Sequence, residues 1–342
     1  MSNTEILLAS RPVGAPTAAN FETRTTERPT PGAGEVLLRL IYLSVDPYLR
    51  GRMNDVKSYI PPFAVGGPLD SGCVAEVVES NNDKFAVGDI VTDRLLWAEY
   101  QVNNGKMLSK LDPAVAPLSY FLGVLGMPGM TAWAGLNIHG RPVEGETIVV
   151  SAATGAVGSL VCQLAKLKGL RVVGVAGGAE KCAYAVENLG CDACVDHRDP
   201  DLKRKLKDAC PKGVDIYFEN VGGVTLDAVL PLMNPFSRMP VCGMISQYNA
   251  TEAAPGPDKS GMMWRAILVN RIAVRGFIVT DHWGDYMKFL GEVAPLIKAG
   301  KINVKESMSQ GLASAPDAFI GLLSGANFGK QVVKVGADPS QG

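Results

Sequence analysis

Histidine is scarce in this chain: three in 342 residues, His139, His197 and His282, far apart in sequence. Its seven cysteines are scattered through apolar or helical stretches. One close pair, Cys191 and Cys194, has a metal-like spacing but lacks the second pair that a four-ligand structural zinc requires. That pair alternates with Val195 as strand residues do, so no metal is expected. No apolar run approaches the roughly 20 residues needed to cross a bilayer. No long basic run is present and the formal net charge is −1, which removes the electrostatic footprint of a nucleic-acid binder. Met1–Asn20 carries Glu5, Pro12 and Pro16 and no apolar core, unlike a secretory leader, so free thiols and a cytoplasmic protein are expected. There is no internal repeat and no low-complexity stretch. What remains is ordinary for a soluble globular chain, 47% hydrophobic and 20% charged, long enough for two domains.

The most informative stretch present is Thr147-Ile-Val-Val-Ser-Ala-Ala-Thr-Gly-Ala-Val-Gly158. Thr147–Val150 reads as a buried strand. Leu160–Lys168 reads as a helix with Leu160, Val161, Leu164, Ala165 and Leu167 on its apolar side. Between them, Gly155 permits a tight turn close to a pyrophosphate and Gly158 lets the helix pack against the strand, so that the first N–H groups of the helix face an anion. The glycine pattern lacks the first glycine of the common form and gains its weight from the strands and helix downstream of it. A strand over Arg171–Ala176, a helix around Glu180–Leu189 and a strand over Ala193–Asp196 complete a βαβαβ dinucleotide-binding half. Where an NAD enzyme places an acid for the ribose 2′-hydroxyl, the chain reads Ala176-Gly177-Gly178-Ala179. Lys181 comes next, and His197 with Arg198 closes the third strand. A missing acid and added cations suit a 2′-phosphate, so NADP is expected rather than NAD.

Val214–Glu219, Arg238–Met244 and Ile272–Val279 read as the fourth, fifth and sixth strands of that sheet, with a helix over Thr225–Leu232. The Pro/Gly/Met-rich segment 248–263 leads into a helix over Met263–Asn270 and reads as a functional loop. Before residue 124 the chain is β-rich, with strands over Glu35–Leu43, Ser71–Ser80, Asp89–Leu96 and Trp97–Val102. Helices are read over Pro128–Asn137, Trp283–Gly300 and Ala315–Ser324, and a closing strand over Lys330–Val335.

The motifs Val45-Asp-Pro-Tyr-Leu-Arg50, Met127-Pro-Gly-Met-Thr-Ala132, Ala152–Gly158, Glu180-Lys181, Glu219-Asn-Val-Gly-Gly223 and Asn327-Phe-Gly-Lys330 together resemble the medium-chain dehydrogenase/reductase superfamily. Within it the chain is similar to the zinc-independent leukotriene B4 12-hydroxydehydrogenase / prostaglandin reductase branch. Gly213–Gly223, Pro240–Ser246 and Tyr248–Glu252 are closest to its bacterial members. The resemblance spans nearly the whole chain. It implies an α/β protein with a GroES-like β-rich substrate domain (1–124 and 301–342) and a Rossmann cofactor domain with a doubly wound parallel sheet (125–300). It further implies a homodimer that uses NADPH to reduce the carbon–carbon double bond of α,β-unsaturated ketones and aldehydes. The first-domain stretch Ser44-Val-Asp46 offers no Cys and Gly66–Asp70 no His, so catalytic zinc is not expected.

Position by position, the resemblance implies that Thr154, Gly155, Ala156, Val157 and Gly158 hold the pyrophosphate. Gly177, Lys181 and His197 would surround the 2′-phosphate. Asn220 and Cys242, Gly243, Met244, Ile245 and Ser246 would line the cofactor groove, and Phe277, Ile278, Val279 and Asn327 would approach the nicotinamide. Where relatives often carry Tyr, this chain has His197. Hydride addition to an enone builds negative charge on the carbonyl oxygen, which needs a donor. Tyr248 is the preferred hydroxyl, with Tyr48 shaping the pocket; the cofactor ribose is a third candidate. Tyr59, Phe63, Met262, Met263 and Trp264 would form a broad apolar pocket. Arg50 and Arg52 read as salt bridges to the adjacent domain rather than anion binders. A quinone reductase of the same fold and a non-catalytic NADPH-binding protein are the alternative readings.

Overall fold

The computed structural model describes residues 2–252 and 258–341. Of the expected 248–263 loop, residues 253–257 therefore lie outside the described residues. In chain order the strands are β1 (Ser2–Leu8), β2 (Phe21–Glu27), β3 (Val36–Ser44), β4 (Asp70–Ser80), β5 (Ile90–Leu96), β6 (Tyr100–Asn103), β7 (Ser109–Lys110), β8 (Thr147–Ser151), β9 (Arg171–Ala176), β10 (Ala193–Asp196), β11 (Val214–Phe218), β12 (Met233–Val241), β13 (Ala273–Gly276), β14 (Glu306–Gln310) and β15 (Lys330–Lys334). The helices are α1 (Leu49–Arg52), α2 (Met127–Ala134), α3 (Gly158–Leu167), α4 (Ala179–Glu187), α5 (Leu202–Ala209), α6 (Gly223–Val229), α7 (Ser260–Asn270), α8 (Tyr286–Lys298) and α9 (Ala315–Leu323). The chain divides into two compact units, Met1–Gly126 with Glu306–Gly342, and Met127–Lys305. Among the described residues, no helix is long and apolar enough to cross a membrane.

The first unit is built on a mixed sheet in the order β14-β15-β3-β4-β5-β7, with β6 also paired to β3, and a β1–β2 hairpin alongside. Its core gathers alternate residues of β3 and β4 with Trp97 and Phe319. The buried Trp97 indole donates to Ser71 Oγ at 2.8 Å, so the ring's one polar atom is satisfied. Lys330 and Asp46 are buried together. The Lys330 ammonium donates to the Val45 carbonyl and to Asp46, both at 2.9 Å. Removing one member of such a pair leaves a buried charge and costs about 3–5 kcal/mol. The two arginines of α1 act within this unit. Arg52 bonds the Pro61 carbonyl, pairs with Asp70 and stacks 3.9 Å over the Phe63 ring, while Arg50 donates to Asn54 and the Gly14 carbonyl. For Arg52 this corrects the expectation of a bridge to the second domain: its guanidinium is spent on its own unit.

The second unit is a six-stranded parallel sheet in the order β10-β9-β8-β11-β12-β13. Apolar β-branched runs such as Thr147–Ser151 are buried at every position because helices cover both faces. α3 buries Leu160, Val161, Leu164 and Ala165 as expected, but Leu167 is half exposed in the last turn, and Gln163 is buried instead. Gln163 compensates its burial by bonding the Ser159 and Asn303 backbone. β12 begins at Met233, five residues earlier than expected, and β13 ends at Gly276, three before the expected Val279.

Candidate functional site

The chain crosses the sheet in opposite directions from β8, so β8 and β11 are neighbours whose connections diverge. In an open parallel sheet a ligand binds at the carboxyl ends of the strands at this switch point. At β8 the chain leaves through Ala152, one of few non-glycine residues with positive φ, 49°. α3 then starts so close to that turn that a Cβ on Gly158 would sit 2.3 Å from the Ala152 carbonyl oxygen. A Cβ on Gly155 would stand 3.2 Å from the same atom. Thr154, Ala156 and Val157 lie in the turn that leads from the end of β8 into α3, where the first amides of a helix lack intrahelical acceptors.

At the end of β9, Gly177 lies against two basic side chains. A Cβ there would stand 2.8 Å from His197 Nε2 and 3.4 Å from an Arg198 terminal nitrogen. Lys181, in the first turn of α4, is held below the ordinary lysine value by partial burial and by Arg198. His197 is held below the ordinary imidazole value by partial enclosure, then by Arg198, with Asp196 opposing and Lys181 reinforcing. The cations thus stand close enough to act on one another, and a bound anion would relieve that repulsion. Asp196 accepts from the Arg198 amide at 2.9 Å and from Gly178, so its carboxylate closes the loop. The donor set fits a dianionic phosphate better than a ribose hydroxyl.

A clasp with no counterpart among the sequence expectations joins β8 to β11. Glu219 is buried and its Oε1 accepts from Ser151 Oγ at 3.0 Å and from the amides of Val221 and Gly222 at 2.7 and 2.9 Å. Asn220 donates its side-chain amide to the Ser151 carbonyl at 2.7 Å, and its backbone amide to Ser151 Oγ at 2.8 Å. Asn220 thus ties two strand ends together. The one signal in the sequence is a polar residue closing each of two apolar strands.

Cys242–Ser246 is zipped onto that turn: Cys242 and Gly243 donate to the Glu219 carbonyl, Ile245 to Asn220, and Ser246 to Val221. Tyr248 folds back over this loop. Its hydroxyl accepts from the Met244 amide at 3.3 Å and lies 3.0 Å from where a Gly243 Cβ would be. Burial pushes the Tyr248 hydroxyl above its ordinary pKa, so it stays protonated at neutral pH. Phe277 is buried against Phe218, edge to face at 6.5 Å, and against His139 at 4.8 Å; Ile278 and Val279 come after it, both half-buried.

Thr154, Gly155, Ala156, Val157, Gly158, Gly177, Lys181, His197, Asn220, Cys242–Ser246 and Tyr248 all lie just beyond the carboxyl ends of strands in this one sheet. Met262 and Trp264 on α7 are exposed and Met263 packs half-buried on the core. Tyr48, Tyr59, Phe63 and Asn327 belong to the first unit. There Tyr59 is exposed, Asn327 donates to the Gly329 carbonyl at 2.8 Å, and Phe63 is a core residue beneath Arg52. Burial, then Asp46, pushes the Tyr48 hydroxyl well up.

Two family models match: an N-terminal domain of oxidoreductases over residues 4–111, and a zinc-binding dehydrogenase model over residues 156–294. The chain is 51% identical over 337 residues to the NADPH-dependent curcumin reductase of Escherichia coli, covering 98% of each chain. It is 44% identical over 341 residues to the NADP-dependent 2-alkenal reductase of Nicotiana tabacum, again covering 98% of each. The solved structure of CurA from Vibrio vulnificus in complex with NADPH superposes with a TM-score of 0.94 at 50% identity, over 98% of this chain and 100% of that one. The chain belongs to the medium-chain dehydrogenase/reductase family. The expected fold class stands with it: a β-rich first unit and a Rossmann-type parallel sheet. Although one matching family model is described as zinc-binding, among the described residues of this medium-chain dehydrogenase/reductase no three His, Cys, Asp or Glu side chains converge as a metal site.

Proposed function

We propose that this chain is an NADPH-dependent reductase of the carbon–carbon double bond of α,β-unsaturated ketones and aldehydes, working without zinc. The observation that carries the cofactor half is the basic cluster of Lys181, His197 and Arg198 around Gly177, with Asp196 turned into the loop. Full-length likeness to a curcumin reductase and a 2-alkenal reductase supports the substrate half. On this reading residues 127–305 are the cofactor domain, and residues 1–126 with 306–342 the substrate domain. All seven cysteines are free thiols, which supports a cytoplasmic setting.

NADPH, when bound, supplies the hydride that adds to the β-carbon of the enone. The first turn of α3 would hold its pyrophosphate and the basic cluster its 2′-phosphate. Tyr248 receives a hydrogen bond from Met244 and keeps its own proton, which it offers to the enone carbonyl oxygen as negative charge builds there. Tyr248→Phe is expected to lower kcat about 100- to 1,000-fold with little change in NADPH affinity, as for loss of one oxyanion donor. Unchanged turnover would remove Tyr248 from that role.

The test of the whole reading is loss of NADPH absorbance with a bulky dienone such as curcumin, a simple alkenal, a quinone, and NADP with a secondary alcohol. Saturated ketone as product supports the proposal. Turnover of the quinone alone moves the chemistry to a quinone reductase, and silence with intact NADPH binding means a non-catalytic binder.

His197 gives the cofactor step a pH dependence. Its value lies below the ordinary imidazole one in the free protein, so it is neutral at pH 7, and a bound 2′-phosphate raises it. Binding then takes up a proton, and NADPH affinity is expected to fall as pH rises from about 5.5 to 8. Titrations by fluorescence across that range check it, with NADH as the flat control.

A homodimer belongs to the same proposal. Among the described residues β13 pairs only with β12, all four of its residues are exposed, and the preceding α7 buries none of its own. Trp264, Leu268 and Val269 are exposed there at 68%, 78% and 53%. A second copy adding its own edge strand across a twofold axis covers that edge and that apolar surface. Val274→Lys together with Leu268→Glu is expected to shift the mass measured by light scattering from dimer to monomer. A wild-type monomer would overturn the assembly.

A further inference from the structure

Four of the seven cysteines gather around one glycine of the second unit. Cys194 on β10 is in register with Gly174 on β9, and a Cβ on Gly174 would lie 3.1 Å from Cys194 Sγ and 3.6 Å from Cys191 Sγ. Cys162, on α3, lies beside Cys191, and Cys182, on α4, lies beside Cys194. The two pairs differ in access: Cys162 and Cys191 are buried, whereas Cys182 and Cys194 both reach solvent. None of the four has a part in the chemistry above. Cys182 comes directly after Lys181, and β10 carries Cys194 into His197 and Arg198, so the accessible pair links the two elements that hold the basic cluster.

We propose that Cys182 and Cys194 are a peroxide-sensitive thiol pair that closes to a disulfide beside the basic cluster and weakens NADPH binding; the second half rests on the cofactor reading above. The roles of the two sulfurs are unequal. Cys182 lies in the first turns of α4 directly after Lys181, where the positive end of a helix and an ammonium favour a charged sulfur, so Cys182 is the attacking thiolate. Its electron pair breaks the O–O bond of hydrogen peroxide, giving a Cys182 sulfenic acid and one water. Cys194 sulfur then displaces the sulfenic hydroxyl, which leaves as a second water with the Cys194 proton, and the S–S bond forms. Two thiols are oxidised and one peroxide is reduced. The bridge ties the first turns of α4 to β10 and shifts Lys181 against His197 and Arg198, which together must meet one phosphate.

The test uses the full-length protein, reduced, desalted, exposed to a small excess of hydrogen peroxide, alkylated and digested without reductant. The expected result, read on the intact chain before alkylation, is a mass about 2 Da lower than that of the reduced chain. A cross-linked peptide should join Cys182 to Cys194, and the Kd for NADPH should rise several-fold and return with dithiothreitol. Cys194→Ser should stop the bridge and leave a sulfenic acid at Cys182 that dimedone traps. Cys182→Ser should leave Cys194 unmodified. A bridge between other cysteines, stable oxidation of Cys182 without linkage in the wild-type chain, or an unchanged Kd in fully bridged protein would each overturn the proposal. Failure of the reduced protein to bind NADPH would instead sink the cofactor reading and the coupling with it, while the peptide map still decides the thiol pair.

Discussion

Gly158→Ala is expected to abolish NADPH binding and lower the melting temperature of the protein. The added Cβ would stand 2.3 Å from the Ala152 carbonyl oxygen and 2.9 Å from its carbon, backbone atoms that no rotamer can move aside. Ala152 is already held at positive φ, so the turn has little freedom to retreat. Overpacking of this kind costs about 1–3 kcal/mol. In a domain of this size that is a fall of roughly 5 °C in Tm. The functional loss is expected to exceed the stability loss, because relief of the clash must push the first turn of α3 away from the strand end where, on the proposed reading, it holds the pyrophosphate. Gly155→Ala is the internal comparison. Its Cβ would meet the same oxygen at 3.2 Å, and a shift of a few tenths of an ångström accommodates it. Calorimetry and NADPH titration of the two variants side by side check the argument, and equal behaviour would show that close approach at Gly158 is not what the turn requires.

The second large effect is on the choice between the two nicotinamide dinucleotides. Removing Lys181 and Arg198 together, as Lys181→Ala with Arg198→Ala, is expected to weaken NADPH binding about 100-fold or more, since each charge-assisted hydrogen bond contributes about 1.5–3 kcal/mol. NADH, which has no 2′-phosphate, should bind the variant as it binds the wild type. The ratio of the two affinities is the readout, because a general disturbance of α4 would weaken both. The same variant removes two of the charges that depress His197, so the imidazole value should move up toward the ordinary one. NMR titration of the ring provides an independent check.

The central sheet was legible because its strands are buried on both faces and therefore appear as largely apolar runs: Thr147–Ser151, Arg171–Ala176 and Val214–Phe218, the last broken only by Asp215. Strands without that burial left no such trace. β2 is exposed or half-exposed at every position, and β14, Glu-Ser-Met-Ser-Gln, is a polar edge strand. Both are held by backbone pairing to a neighbour rather than by an apolar face. The early start of β12 was hidden by Pro235, a residue rare inside central strands, and by Phe236, whose backbone is left-handed.

At the site, residues named by local pattern were within reach of sequence reasoning, as with the glycine turn and the cations closing the second and third strands. The Ser151–Glu219 clasp was not, because a bond between residues 68 positions apart has no local signature. Arg52 shows the same limit in another form. Its charge was visible, but that Asp70, Pro61 and the Phe63 ring would consume it could be learned only from the folded unit.

The interrupted course of the first unit bears on how the chain is made. Residues 127–305 form a continuous run, whereas the unit around them is completed only by β14, β15 and α9 near the carboxyl terminus. β15 sits between β14 and β3 in the sheet, and Lys330 supplies the partner of the buried Asp46. Emerging from the ribosome, the inserted run can close its own sheet first, while the Tyr42–Ser44 end of β3 waits for β15 and Asp46 for its cation. The order of folding is then the reverse of the order of synthesis for the two units, and the last stretch of chain acts as the fastener of the part made first.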